Sequence, residues 1–337
     1  MIFVTGGTGF LGRHLIPALC RAGYNLRVLT RTPQRHQWLY QYPNLDIIKG
    51  DLATGEGLEA VAGCEYVVHA AALFSMWQGA GDFAAINKRG TENLLHAATN
   101  AAVKRLIYTS TIAVVGNPDP DIPLDENHPP RPADPYQQSK LDAEQLIRTA
   151  HENNVLETIT LRGGAFYGPL GTYAFNRLFF TDPMRGIIMQ ADGGDYIIFP
   201  VYIADVVQAI MLSLTAGRSG EIYNICGETL AHKAAFDIVC EEAQLRWPRL
   251  YMPRWIGVNF SRLLEIVSNL TGREPFYPLD LRWYVFNDWR VITEKAQSEL
   301  GFVPTPFREG ARRTIAWYRA GRPDDLPELQ CSDVASG

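Results

Sequence analysis

The chain opens with Ile2-Phe3-Val4-Thr5, four residues suited to a buried strand. They run without a spacer into Gly6-Gly7-Thr8-Gly9-Phe10-Leu11-Gly12. A Gly-x-x-Gly-x-x-Gly run between a strand and a helix constrains the fold more than any other stretch here. Glycine permits the tight turn, the close approach of backbone to a ligand, and close helix–strand contact. The helix after it offers unpaired N–H groups and the positive end of its dipole, which suits a phosphate. Gly6, Thr8, Gly9, Phe10, Leu11 and Gly12 therefore read as a pyrophosphate-binding turn.

The same alternation continues along the chain. Short apolar runs at residues 26–30, 46–50, 66–70, 105–110 and 157–162 read as strands, with helical patterns at 10–23 and 82–101. Strands alternating with helices imply an α/β fold, a doubly wound parallel sheet covered on both faces. After about Gly168 proline, glycine and aromatic residues become frequent, and helical patterns at 203–217 and 255–272 are mixed with short strands. Residues 1–168 are read as the dinucleotide-binding part, to which later segments also return. Residues 169–321 are read as mainly substrate-binding, and 322–337 as a polar tail without fixed structure.

Composition narrows the function classes. The net charge of -5 offers no basic excess to neutralise nucleic-acid phosphates. The five cysteines are scattered and lack C-x-x-C spacing, so reduced thiols and no metal site are expected. Met1–Val4 already reads as strand, leaving no room for a signal peptide, and no apolar run is long enough to span a bilayer. A cytoplasmic enzyme is the expectation.

In a sheet of this kind ligands gather at the carboxyl ends of the strands. The second strand ends at Thr30-Arg31, with Arg35 close behind and no acid to hold a ribose 2′-hydroxyl. Arg31 suits a 2′-phosphate, so NADP is expected in preference to NAD. Asp51 and Leu52 follow the third strand, at the adenine. Ala70, Ala71 and Ala72 follow the fourth, where small residues let a cofactor pass, and His69 beside them reads as a packed histidine. The fifth strand delivers Tyr108-Thr109-Ser110-Thr111 to the same edge. Then comes Asp134-Pro135-Tyr136-Gln137-Gln138-Ser139-Lys140. Asp134 is a good N-cap and Pro135 suits the first helical position, so a helix begins there with Tyr136 and Lys140 stacked one turn apart. A cation beside a phenol favours the phenolate, which makes the pair a candidate acid–base group.

These motifs, TGGTGFLG, GDL, HAAA, IYTSTIAVVG, YQQSK, LRGGAFYGP and FPVYIADV, resemble in order and spacing those of extended short-chain dehydrogenases/reductases, over nearly the whole chain. The resemblance implies that Thr111 polarises the substrate oxygen and that Tyr136 exchanges the proton. It implies that Lys140 binds the nicotinamide ribose and lowers the Tyr136 pKa. It also places Asn87 near the active site, Gly163 by the nicotinamide where relatives usually carry proline, and a homodimer through the helices after strands four and five. The closest pattern is that of the 3β-hydroxysteroid and sterol-4-carboxylate dehydrogenases, which implies a secondary alcohol of sterol type. Nucleotide-sugar 4-epimerase, with tightly bound NAD, is the alternative, and a non-catalytic dinucleotide-binding sensor or assembly subunit a lesser one. Dehydratases of the family carry Asp-Glu after the active-site hydroxyl; here Ile112-Ala113 stand there.

Phe74, Trp77 and Phe166 are expected to line the substrate, with Met76 and Phe83 adding apolar wall, whereas Arg177 and Arg185 suit a diphosphate. The helix 255–270 carries Ile256, Phe260, Leu263, Leu264 and Val267 on one side, with Arg254 and Arg262 toward the other. It is expected to pack on the core or cap the pocket, with peripheral membrane contact as the alternative.

Overall fold

A computed structural model describes residues 1–246 and 248–324. Seven strands form one sheet: β1 (Ile2–Thr5), β2 (Leu26–Thr30), β3 (Leu45–Lys49), β4 (Tyr66–His69), β5 (Arg105–Thr111), β6 (Glu157–Gly163) and β7 (Ile222–Ile225). Their order is β7-β6-β5-β4-β1-β2-β3, and every pairing is parallel. This is the doubly wound arrangement expected, with its reversal of strand order between β1 and β4. Parallel strands must be covered on both faces, and the side chains show it. Ile2, Val4, Val28, Val68 and Ile107 enter one core, while Phe3, Leu29, Val67, Leu106 and Tyr108 enter the other. The alternation along each strand divides them.

Helices α1 (Phe10–Arg21) and α4 (Ile203–Ser213) pack together on the first face. On the second lie α2 (Gly90–Asn100) and α3 (Pro135–Glu152). The predicted helix over 82–101 is α-helical only from Gly90. Residues Ala84–Arg89 form a wider π-turn, and Thr91 returns its hydroxyl to the Asn87 carbonyl. Helix α3 starts as predicted: the Asp134 carboxylate accepts from Gln137 N–H at 2.8 Å, with Pro135 in the first turn.

The C-terminal part adds three two-stranded pairings, 165–167 with 200–202, 188–191 with 249–252 and 197–198 with 230–231. It also adds α5 (His232–Glu242), α6 (Arg254–Thr271) and α7 (Phe307–Arg319). Helix α7 packs on α5, so the chain returns to the first face. Residues 325–337 of the expected tail lie outside the described residues. Just before them, Pro323 accepts from the Trp317 indole and Asp324 pairs with Arg13. Helix α6 borders a cavity with Gly257, Val258, Phe260 and Ser261, but its apolar stripe does not turn inward. Ile256, Phe260, Leu263 and Val267 are exposed, and Ser268 is its one buried residue. A regular apolar stripe fixes the spacing of such side chains but not which way the stripe faces.

Candidate active site

The expected site residues fall along one edge of the sheet, as register requires. Thr5 pairs with His69, His69 with Tyr108, and Thr111 with Gly163. The glycine turn lies at the reversal point. Gly6 has φ +74, and a Cβ there would stand 2.5 Å from the Ala71 nitrogen. The loop after β4 therefore packs directly on the turn. A Cβ on Gly12 would meet the Gly6 carbonyl oxygen at 2.3 Å, so α1 abuts the loop only with glycine there.

Gly9 is different. Its φ is -81, it is exposed, and a Cβ would make only an ordinary 3.5 Å contact. The protein itself has no steric need of glycine at that position. Helix α1 also has no side-chain cap and no acid in its first turn, so its free N–H groups and positive end are left for an anion. A cradle that a Cβ would narrow, facing uncapped amides, fits a dinucleotide pyrophosphate. Phe10 stacks edge-on against His14, Leu11 is buried, and Thr8 is half-buried at the turn. Arg31 stands exposed past the end of β2 and makes no ion pair among the described residues. The Asp51 carboxylate accepts from Ala53 N–H, and Leu52 is buried. Ala70–Ala72 follow β4 at the turn.

His69 belongs to the scaffold. The Asn87 carbonyl can only accept, so it takes the Thr91 hydroxyl proton at 2.5 Å. Thr91 oxygen then accepts from His69 Nε2 at 2.9 Å, and Nδ1 accepts from the Thr5 hydroxyl at 2.8 Å. Burial, with the charge of Lys140 adding to it, lowers the imidazole to about 3, so it stays neutral. The Asn87 side chain is also committed. It accepts from Leu73 N–H and donates to the Leu73 carbonyl and the Ser139 hydroxyl. It thereby ties the segment after β4 to helix α3.

Thr111, Tyr136 and Lys140 come together from the end of β5 and the first turns of α3, and all three are buried. Thr111 Oγ accepts from Ala113 N–H at 3.2 Å, which occupies a lone pair and leaves its O–H free to donate. Burial, with the Asp134 charge adding to it, raises the Tyr136 phenol well above its ordinary value, while the Thr111 hydroxyl opposes. Lys140 is not among the groups that shift Tyr136. Its ammonium donates to the Thr109 carbonyl at 2.7 Å and lies 4.3 Å from the centre of the Tyr108 ring. Burial pulls it down to about 7, and the Glu144 carboxylate opposes.

One neighbour, Glu144, and a second bond of another, Asp134, were not read in the sequence. Glu144 lies one turn beyond Lys140 and takes three bonds from Arg162, with both side chains 5% exposed. The Tyr136, Lys140, Glu144 spacing was a legible signal; the partnership with Arg162 was not. Asp134, expected as the N-cap of α3, also accepts from the Tyr284 hydroxyl at 3.0 Å. Burial raises its carboxyl to about 6 against those two hydrogen bonds.

The expected substrate wall is divided. The Phe74 ring stands edge-on to the Tyr136 ring, with centroids 4.9 Å apart, and is 41% exposed. Trp77 is buried within its own loop, whose Ser75 hydroxyl donates to Glu274. Phe166 covers Gly163: a Cβ there would meet its ring at 2.4 Å. Among the described residues no cluster of His, Cys, Asp and Glu could hold a metal.

Comparison with known proteins agrees with this architecture. The profile described as the NAD dependent epimerase/dehydratase family matches residues 2–226. A 4-hydroxy-2-methyl-3-oxo-4-farnesyl-3,4-dihydroquinoline-1-oxide ketoreductase from Stigmatella aurantiaca is 35% identical over 225 residues, 66% of this chain and 66% of its own. Among solved structures, UDP-glucose 4-epimerase from Thermotoga maritima with UDP-glucose superposes with a TM-score of 0.78 at 25% identity, covering 95% of this chain and 99% of that one. The dTDP-glucose 4,6-dehydratase DesIV from Streptomyces venezuelae, with NAD and TYD bound, gives 0.76 at 27% identity, covering 95% and 97%.

Proposed function

The chain belongs to the NAD dependent epimerase/dehydratase family and is an NAD(P)-dependent oxidoreductase, and from that premise we propose how its residues act and on what. One observation carries the reading. Thr111 and Tyr136 bring two hydroxyls together at the sheet edge, one with a free proton to donate and one held as a neutral phenol. A bound nicotinamide dinucleotide supplies the hydride donor or acceptor. Gly6, Gly9 and Gly12 with the start of α1 hold its pyrophosphate, Asp51 and Leu52 its adenine, and Lys140 its nicotinamide ribose. Arg31 meets a 2′-phosphate, which favours NADP.

In ketone reduction the Tyr136 O–H gives its proton to the substrate oxygen as the carbon–oxygen bond becomes an alcohol. Thr111 donates a hydrogen bond to that oxygen while negative charge develops. Oxidation is the reverse and requires the phenolate first. Burial disfavours the phenolate, so the oxidative half of the chemistry must first overcome that cost.

For the substrate, likeness over 95% of the chain to enzymes named for UDP- and dTDP-sugars supports a nucleotide-bound sugar. It supports this ahead of the sterol-like alcohol that the motifs suggested. Without an acid after Thr111, epimerisation at C4 fits better than dehydration. One observation favours a second reading, an apolar ketone: Phe74 sets a half-exposed ring edge-on against the Tyr136 ring. The relative named for a farnesyl-bearing substrate supports the same reading. Membership of the family supports a homodimer through α2 and α3.

The test is a parallel assay of purified protein with UDP-sugars and with 3β-hydroxysterols and prenylated ketones, each with NADP and NAD. An epimerised sugar without net cofactor turnover supports the first substrate reading, and net turnover with an apolar ketone the second. Tyr136→Phe should lower either rate by about a hundredfold or more; an unchanged rate sinks the assigned chemistry.

A further inference from the structure

Helix α6 divides its residues between two sides. The side turned toward the protein carries Gly257, Val258, Ser261, Leu264 and Ser268. The side turned to solvent carries Trp255, Leu263, Ile266 and Leu270, which are 69, 58, 60 and 84% exposed. Tyr251, on the strand just before it, is 63% exposed as well. A contiguous exposed apolar face of this kind marks an interaction surface.

Arginine also outnumbers carboxylate along this stretch. Between residues 246 and 274 there are five arginines against Glu265 and Glu274, a net +3 on a chain whose total is -5, and the Asp192 carboxylate accepts from Arg254 N–H at the start of the helix. Arg249 is tied to Asp237, but Arg246, Arg254, Arg262 and Arg273 make no ion pair among the described residues. A two-fold dimer through this face would set the cationic patch against its own copy and bury unpaired guanidinium groups. An anionic bilayer surface answers both features, with acyl chains for the apolar stripe and lipid phosphates for the arginines. Among the described residues no helix is long and apolar enough to cross a membrane, so α6 would lie in the interface plane.

A third feature adjoins the patch. The opposite edge of α6 roofs a cavity of about 70 Å³, lined by Met252, Val258, Phe260, Tyr277, Val285 and Phe286. Phe260 both lines it and reaches solvent, so the cavity meets the surface at the helix that carries the patch.

We propose that α6 seats this protein on an anionic lipid surface, with Trp255, Leu263, Ile266 and Leu270 in the acyl boundary and Arg254, Arg262 and Arg273 on phosphates. The inference does not depend on which substrate the enzyme takes.

The experiment is co-sedimentation of the full chain with vesicles of phosphatidylcholine alone and of phosphatidylcholine with phosphatidylglycerol. The expected result is pelleting with the anionic vesicles, weakened by salt and much lower on the neutral ones. Leu263→Glu with Ile266→Glu should abolish it, and Arg262→Gln should weaken it about fivefold. Brominated acyl chains should quench tryptophan emission in the native protein and less so in Trp255→Phe. Absence of pelleting on anionic vesicles, or pelleting that survives both substitutions, overturns the proposal. Ultracentrifugation without lipid tests the competing occupant: a native oligomer that Leu263→Glu breaks into smaller species would assign the face to a second copy instead.

Discussion

Lys140→Met should stabilise the fold while removing activity. The lysine is 3% exposed, and burial lowers its ammonium to about 7 from the ordinary 10.5. At neutral pH that gap corresponds to roughly 4 kcal/mol of stability lost to carrying the amine inside. Methionine has similar length and no charge to desolvate. Against the gain stands the bond to the Thr109 carbonyl, whose loss leaves a buried acceptor and costs about 1–2 kcal/mol. The variant should be more stable by about 2 kcal/mol at pH 7.

The sign is set by protons. The folded value lies below the unfolded one, so as pH falls from about 10.5 the unfolded chain takes a proton that the folded chain refuses. Stability of the native protein therefore declines between about pH 10.5 and pH 7 and levels off below. The methionine variant lacks this decline, so its advantage should appear across that window and vanish near its alkaline end. Urea unfolding of both cofactor-free proteins across the window measures it. A variant less stable at pH 7, or a difference flat with pH, would refute the buried-amine argument. Turnover should fall by at least about a hundredfold at any pH.

Thr111→Val removes both the free O–H and the acceptor for Ala113 N–H. It should lower kcat by about a hundredfold to a thousandfold and stability by about 1 kcal/mol, with Thr111→Ser restoring most of both. Gly9→Ala should leave the melting temperature unchanged but weaken dinucleotide binding, measured by calorimetric titration. Gly12→Ala should destabilise the fold itself, because its Cβ would collide with the Gly6 carbonyl. Arg31→Asp should move preference from NADP toward NAD in paired kcat/KM measurements; an unmoved ratio removes Arg31 from cofactor choice.

Much of this protein is local, and local features were legible in the sequence. Short, nearly continuous apolar runs specified β1 to β6, because a parallel strand is covered on both faces and buries side chains of either parity. The Asp134-Pro135 start of α3 depends on one carboxylate and one ring, both within a single turn. The spacing of Tyr136, Lys140 and Glu144 on one side follows from helical pitch alone.

Tertiary structure decided what those side chains meet. Lys140 rests on Thr109, and Glu144 on Arg162, across different elements of the sheet. Trp77 is spent in its own loop and Asn87 on the loop–helix clamp, though both had the chemistry of a binding site. The same division holds for α6. Periodicity determined that it carries an apolar stripe. Only the packing of distant segments decided that the stripe faces outward, because burial is a property of what surrounds a helix and not of the helix itself.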